Sequence, residues 1–559
     1  VRTGLLTEGG YPFAGGDAGL WCDRLVRGLG QHEFDLYALS RSRHQEEAGL
    51  LPLPPQVTRV RTAPLWTAGG ESGAVGYGRR ARRRFTEHYG ELAAAVCTAA
   101  DGGTGGTGGT AADHSASGAV ADRFANALYG LAELAREEGG LGAALRSDLG
   151  VRTLERACRA PGAPRTAREA RVADLLTVTG HLERALRPLS LDWYGDDALG
   201  AADLCHATSG GPAALAGLLA RHFRGVPLLV TEYGVHLRAQ YLDRGPGAAP
   251  AVRALLAAFH GRLATETYRR AEILTPGNAH ARRWQERCGA DRARIRTVYP
   301  GMAADGFAEA GESPDRADPD TLVWVGRVEP AKDLVALLHA FAEVRRREPR
   351  ARLRIVGTAD GPESTAYLGH CRALAAQLFP DEAEGAHAVG CNPVSFEEIG
   401  SPYAPTLPEV YASGAVVVLS SVVEGFPTGL IEAMFCGRAT VSTDAGAVVE
   451  VIGGTGLVVP PRNPRALADA CVALLRDPER RARLGAAARA RALELFTVEQ
   501  NIAAFHGIYL EIVSHCPVRR DLLDASGAPL PFAAPAESHV PAHWPATPTW
   551  ALPTTEPAR

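Results

Sequence analysis

The feature that most restricts this chain is an alternation that occurs twice. Short runs of Val, Ile and Leu are each followed by a few small or polar residues, then by a segment with helical spacing. The clearer copy occupies residues 321–490. TLVWVG (321–326), RLRIVG (352–357), VVVLSS (416–421), TVSTD (440–444) and GLVVP (456–460) read as strands. DLVALLHAFAEV places Leu334, Leu337, Leu338, Phe341 and Val344 on one helical face, and residues 462–475 read as another helix. Apolar runs without polar alternation suit strands buried on both faces. With helices between them, they predict a mostly parallel sheet covered on both sides.

A second copy lies at the start of the chain. RTGLLTEGG reads as a strand and its loop, Leu20, Trp21, Leu25, Val26 and Leu29 as a helix, and EFDLYALS (33–40) as a strand. The alternation breaks over residues 61–190, where Ala- and Leu-rich helical patterns surround GGTGGTGG (102–109), a sequence unable to form a core. It resumes with LCHATSG, a helix at 212–223, VPLLVTEYG, RRAEILTPG, a helix around 278–288 and RIRTVYPG, the last read as a strand. The Pro- and Asp-rich segment 309–320 links the two blocks. The expected organisation is α/β: a first Rossmann-like domain at 1–308 with a helical insertion at about 61–190, a linker at 309–320, and a second Rossmann-like domain at 321–490. A helical stretch at 491–515 and a Pro-rich, largely disordered tail at 516–559 follow.

At 559 residues the chain exceeds one ordinary core. A formal net charge of -4 gives no reason to expect a nucleic-acid partner, and the basic run RRARRRF (79–85) reads as a solvated helix face, with contact to a polyanion or membrane surface as the alternative. Ten cysteines occur without a CxxC pair; Cys22, Cys205, Cys391 and Cys436 sit in or beside apolar segments and read as small buried residues, with no zinc site expected. With no apolar run of membrane-spanning length and no signal-peptide core, a cytoplasmic location is expected.

Open α/β sheets bind ligands beyond the carboxyl ends of their strands, so segments just after strands are the candidates. GRVEPAKD sets Arg327 and Lys332 around a turn, where two cations could close on a diphosphate; a solvated surface turn is the plain alternative. EGFPTGLIE places Glu424 in a post-strand loop and Glu432 about a turn into the next helix. Gly425 and Gly429 allow close backbone approach, Pro427 stiffens the turn, and the helix start near Thr428 offers N–H groups to an anion. The plain reading of Glu432 is complementation of the helix dipole. GGYPFAGG (9–16) lacks both GxGxxG and Walker spacing, leaving a tight turn or a phosphate-facing loop. His206 and His236 each follow a strand; neither belongs to a G-x-S-x-G or Ser-His-Asp pattern, and a hydrogen-bonded structural histidine is the ordinary reading.

Taken together, EGFPTGLIE resembles the E-x7-E element, and GRVEPAKD the G-R-x4-K segment, of retaining glycosyltransferases of GT-B fold in the large family four. EGGYPFAGG, CHATSGG, TEYGVH and TPGNAHARRWQ resemble more particularly the glycosyltransferase group of the Pel exopolysaccharide system. The resemblance implies a hexosyltransferase that binds a nucleotide sugar, UDP-linked, between two domains, without a metal or other cofactor. Arg327 and Lys332 would contact the diphosphate, Glu432 the ribose, and Glu424 and His206 would lie by the donor sugar. Gly15, Gly16, Gly425, Phe426, Pro427, Thr428, Gly429 and Leu430 would border the nucleotide. Tyr11, Asp17 and His236 would stand on the acceptor side, facing a saccharide or small molecule. The helix at 491–515 would cross back to the first domain. The resemblance also implies retention of anomeric configuration through same-face attack, and peripheral association with a membrane polysaccharide-synthesis complex.

The sequence departs from the pattern in four places. GGDAGLW stands where relatives continue GGV-S-S-W, YPGMA where PNG-I is expected, and the 102–109 loop and the long tail are extra; these departures bear on the acceptor more than on the reaction type. A nucleotide-sugar epimerase of the same fold, and a catalytically idle scaffold in polysaccharide assembly, are the competing classes.

Overall fold

The computed structural model describes residues 1–13, 17–66, 77–98, 111–242, 249–312, 317–380 and 392–518. Gly15, Gly16, the 102–109 loop, part of the link (313–316), Cys391 and the tail from 519 lie outside the described residues.

Two six-stranded sheets organise the chain. The first contains β1 (Arg2–Glu8), β2 (Glu33–Ser42), β3 (Val57–Trp66), β4 (Leu204–Ala207), β5 (Leu228–Glu232) and β6 (Ile273–Pro276). Its order is β3-β2-β1-β4-β5-β6, parallel throughout, with Leu5 facing Leu36 on one side and His206 on the other. The second contains β7 (Asp318–Arg327), β8 (Arg352–Thr358), β9 (Val394–Glu397), β10 (Gly414–Leu419), β11 (Ala439–Thr443) and β12 (Leu457–Val459). Its order, β12-β11-β10-β7-β8-β9, is the same winding, again parallel. Each sheet thus reverses direction at one point: between β1 and β4 in the first, and between β7 and β10 in the second. The central strands β4, β5 and β10 are buried at every residue, which is why they carry no polar alternation. Twin Rossmann-like lobes of this kind make up the GT-B architecture.

Two readings of the sequence need correction. The strand β3 runs to Trp66, into the stretch read as insertion; Arg59, Arg61 and Pro64 on this edge strand hide its pattern, since an edge tolerates both charge and proline. RIRTVYPG forms no strand. It runs beside β6 with two hydrogen bonds, Arg296 N to Leu274 O (2.8 Å) and Val298 N to Pro276 O (3.1 Å), and a single bridge at Ile295.

The insertion helices Arg79–Cys97, Ala111–Glu138, Asp148–Arg159 and Val172–Ala185 share one apolar cluster with the first sheet. Phe85, Tyr89, Leu92, Phe124, Leu128 and Leu131 join Leu6, Tyr37 and Leu215 there. The other face of that sheet is covered by the helix Asp17–Gly28 and by the helix Val498–His515. Phe505, Ile508, Tyr509 and Ile512 of the latter cluster with Leu5, Trp21, Leu25 and Phe34. A Cβ on Gly28 would fall 2.0 Å from Ile502 Cδ1, so glycine there sets how close the two helices come.

The carboxyl edges of the two sheets face each other. Glu450, beyond β11, accepts from Ala279 N (2.7 Å) and from the Tyr299 hydroxyl (3.0 Å), both beyond β6. The rings of Tyr299 and Phe426 lie 6.2 Å apart across the same junction.

Candidate functional site

The reversal point of the second sheet carries the candidate donor site. After β7 the chain makes a 3-10 turn at Pro330–Lys332 and starts the helix Leu334–Arg347. Asp333 caps that helix from a left-handed backbone (φ 48), a conformation Asp tolerates better than most residues, and accepts from Ala336 N at 3.2 Å. The loop after β10 is fastened to this turn. Val422 N donates to Ala331 O (2.9 Å), and the Ser420 hydroxyl donates to Lys332 O (2.7 Å). These bonds bring Lys332 Nζ to 2.7 Å from Glu424 Oε2, with side chains only 15% and 11% exposed. The Ser421 hydroxyl donates to the same carboxylate oxygen at 2.9 Å. Arg327, the last residue of β7, is exposed at the rim and has no ion-pair partner among the described residues.

Glu424 carbonyl abuts Gly446, where a Cβ would fall 2.2 Å away; Gly446 has φ 58, so both its position and its backbone call for glycine. Helix Thr428–Phe435 follows Pro427. Gly429 passes under the Tyr411 hydroxyl, which a Cβ would approach to 3.2 Å. Tyr411 is fully buried, and its hydroxyl donates to Glu432 Oε2 at 2.8 Å, holding that carboxylate a turn into the helix. Leu430 and Pro427 face inward, and Phe426 packs with Phe496 in the apolar cluster that contains Leu430 and Met434. Gly425 and Thr428 remain exposed at the rim.

In the first lobe the sequence-predicted residues scatter. Tyr11 is 2% exposed and belongs to the core with Trp21 and Leu25. Asp17 begins the helix Asp17–Gly28, and its side chain lies outside the described residues. His206 sits within β4 rather than beyond it, because LCHA is itself the strand. It is 0% exposed; its Nδ1 lies 2.7 Å from the Tyr509 hydroxyl and its Nε2 2.6 Å from Thr231 Oγ1. Burial pushes its pKa down to about 3, so the ring is neutral. The structure does not bring this imidazole to the Lys332–Glu424 pair; it ties the helix Val498–His515 to the sheet. His236 opens the helix His236–Leu242, with its ring against Gly211, where a Cβ would meet Cε1 at 2.6 Å. Its Nε2 is buried without a hydrogen-bond partner among the described residues, and burial lowers its pKa to about 4.

Sequence reasoning missed three residues. Tyr411 gives no signal of its own within an apolar helix. Glu232, in the quoted TEYGVH, is fully buried and accepts from the Tyr268 hydroxyl (2.6 Å), Gln285 Nε2 (3.0 Å) and His236 N (3.2 Å), so it braces two loops. Glu8, in the quoted RTGLLTEGG, ends β1 at the reversal point of the first sheet. Among the described residues, no group of three or more His, Cys, Asp or Glu is placed to hold a metal ion, and no helix is long and apolar enough to cross a membrane.

Twin parallel lobes with cations and carboxylates at the reversal point define a GT-B chain related to the glycosyltransferase group 1 superfamily. Residues 319–477 match the family model described as "Glycosyl transferases group 1". Residues 1–293, more than half of the chain, match that of a domain of unknown function, DUF3492, and the chain belongs to that family. A D-inositol 3-phosphate glycosyltransferase of Frankia alni is 34% identical over 216 residues, covering 36% of this chain and 50% of that protein. The chain spans about half the length of the curated relatives it matches. Among solved structures, HepE of Anabaena in complex with UDP superposes with TM-score 0.51 at 14% identity, covering 91% of this chain and 100% of that one. Sucrose-phosphate synthase from Thermosynechococcus elongatus gives TM-score 0.50 at 16% identity, covering 92% and 99%. These two likenesses are of fold.

Proposed function

We propose that this protein is a retaining, metal-independent hexosyltransferase that moves a sugar from a UDP-sugar to a saccharide or small-molecule acceptor. The observation that carries the reading is the Lys332–Glu424 pair at the β7/β10 reversal point, with Glu432 held one turn into the following helix. The match of residues 319–477 to glycosyltransferases and the UDP named in the HepE complex support it.

In this reading the second lobe (321–490) holds the donor and the first (1–308) the acceptor, with the link at 309–320 between them and the segment 491–515 returning to the first. The Arg327 fork and the Lys332 ammonium receive the diphosphate, and their charge stabilises it most when it departs with the full negative charge of the broken glycosidic bond. Lys332 must turn from Glu424 toward phosphate as donor enters. Glu424 is then left beside the donor sugar, where a carboxylate favours positive charge developing at the anomeric carbon. Glu432 receives the ribose hydroxyls. First-lobe segments such as EGGYPFAGG and TEYGVH favour an exopolysaccharide-type acceptor.

The test is a calorimetric screen of UDP- and GDP-sugars, followed by turnover with product analysis. Submillimolar UDP-sugar binding with UDP release is the expected result. Failure of every nucleotide sugar to bind refutes the donor site, and recovery of an epimerised sugar in place of transfer refutes the reaction.

A further inference from the structure

Both sheets wind identically, so each has one crevice where its strand order reverses. In the second sheet that crevice holds Lys332 beyond β7 and Glu424 beyond β10. The equivalent crevice of the first sheet lies between β1 and β4, and Glu8 is the last residue of β1. Ser209, two residues beyond β4, donates its hydroxyl to Glu8 Oε2 at a long 3.3 Å. The main-chain N–H of Ala213, in the first turn of the helix Pro212–Arg224, also serves this carboxylate, and Arg41 near the end of β2 lies within electrostatic reach.

Comparison with Glu232 is instructive. Both glutamates close a strand of the same sheet. Glu232 is 0% exposed and is bonded by Tyr268, Gln285 and the His236 N–H, as a scaffold residue should be. Glu8 is only partly buried and, among the described residues, is served by one long side-chain hydrogen bond and the Ala213 N–H. Among the described residues, a Cβ on Gly10 would meet nothing closer than Glu8 O at 4.0 Å. Gly9, with φ 67, holds the Arg41 side chain against the same loop, where a Cβ would lie 3.1 Å from Nε. A carboxylate with acceptor positions left over by the described residues, beside a hydroxyl, a guanidinium and the Gly9–Gly10 turn, is suited to hydroxyl groups rather than to phosphate, which the carboxylate repels. Desolvation already raises the Glu8 pKa to about 7, so an incoming pair of hydroxyl donors would stabilise its charged form.

We propose that Glu8, flanked by Ser209 and Arg41 at the β1/β4 crevice, accepts hydrogen bonds from hydroxyl groups of the acceptor saccharide and selects for it. This rests on the donor reading above, because it places the acceptor across from the Lys332–Glu424 pair on the facing carboxyl edge.

The experiment measures UDP release from UDP-glucose with D-glucose, D-galactose, D-mannose and their methyl glycosides as acceptor probes, in the full chain and in Glu8→Gln, Glu8→Asp and Ser209→Ala. Acceptor KM should rise at least tenfold in Glu8→Gln, recover in part in Glu8→Asp, and rise up to threefold in Ser209→Ala. The Kd for UDP should stay within twofold of wild type in all three, which also reports that they fold. An unchanged acceptor KM in Glu8→Gln overturns the inference, as does a loss of UDP affinity equal to the loss of acceptor affinity. UDP binding with no saccharide accelerating release overturns this inference alone, whereas absence of UDP binding by the wild type removes the donor reading on which it stands.

Discussion

Lys332 cannot serve Glu424 and a diphosphate equally, and that competition yields a prediction whose sign is diagnostic. In the ligand-free protein its ammonium sits 2.7 Å from Glu424 Oε2, with both side chains mostly withdrawn from water. Replacing Lys332 by Ala removes a charge-assisted contact to phosphate. Such contacts are worth about 1.5–3 kcal/mol, so the Kd for UDP should rise about 10- to 150-fold at about 1.4 kcal/mol per tenfold. Glu424→Gln acts the other way. It removes the charge that holds Lys332 back and the negative charge nearest the incoming diphosphate, so UDP affinity should hold or tighten while kcat falls. In the double variant Lys332→Ala/Glu424→Gln the gain disappears, because no ammonium remains to release. Calorimetry with UDP on the four proteins gives the complete cycle, and turnover at saturating donor gives kcat. If Glu424→Gln weakens UDP binding as much as Lys332→Ala does, the carboxylate orients the lysine or holds the nucleotide itself, and the division of roles is wrong. An unchanged Kd in Lys332→Ala removes the phosphate role outright.

Glu432→Gln should raise donor KM more than it lowers kcat, and Tyr411→Phe should do the same more weakly, since it frees that carboxylate from one hydrogen bond but leaves its charge in place; equal loss of kcat in both would show that Glu432 acts in the transition state. Tyr509→Phe leaves His206 Nδ1 buried beside no partner from Tyr509 and should lower stability by about 1–3 kcal/mol in denaturant unfolding, with an unshifted midpoint as the contrary result. His206 is kept neutral by burial, with its pKa lowered to about 3 against 6.5 unfolded. Its contribution is therefore fully present above pH 6.5 and is lost as pH falls, at up to about 1.4 kcal/mol per pH unit. The raised carboxyl of Glu8 acts in the opposite sense, because its folded form takes up a proton more readily. The clean measurement is thus a difference: urea midpoints at pH 7.5 and 5.5 should diverge more in wild type than in His206→Gln, and equal divergence refutes the buried-neutral assignment.

The second lobe was legible because its strands are apolar throughout and its helices keep one face, so TLVWVG, RLRIVG and VVVL announce a covered parallel sheet. Arg327, Lys332, Glu424 and Glu432 could be picked out as candidates because motif spacing follows those strands. The first lobe was harder to read. Charges on β3 disguised an edge strand, and the four-residue β4 left the strand end ambiguous, so His206 was read as lying beyond it rather than inside it. Its partners Tyr509 and Thr231 lie 303 and 25 residues away, and no local pattern carries such pairings. Glu8 and Glu232 both end strands in conspicuous motifs, yet Glu232 is a buried brace and Glu8 is only partly buried. Burial and the donors found around each carboxylate among the described residues separate them.

The closing helix has a consequence for how the chain is made. Trp21 waits for Asn501, 480 residues later, before its indole N–H finds its acceptor. Phe505, Ile508, Tyr509 and Ile512 complete the apolar cluster on that face of the first sheet. Synthesis at about 5–20 residues per second leaves this face uncovered on the ribosome for on the order of 24 to 96 seconds. During that interval the second lobe, whose core cluster draws only on residues 322–474, emerges and can close by itself. The first lobe to be translated is therefore the last to be finished.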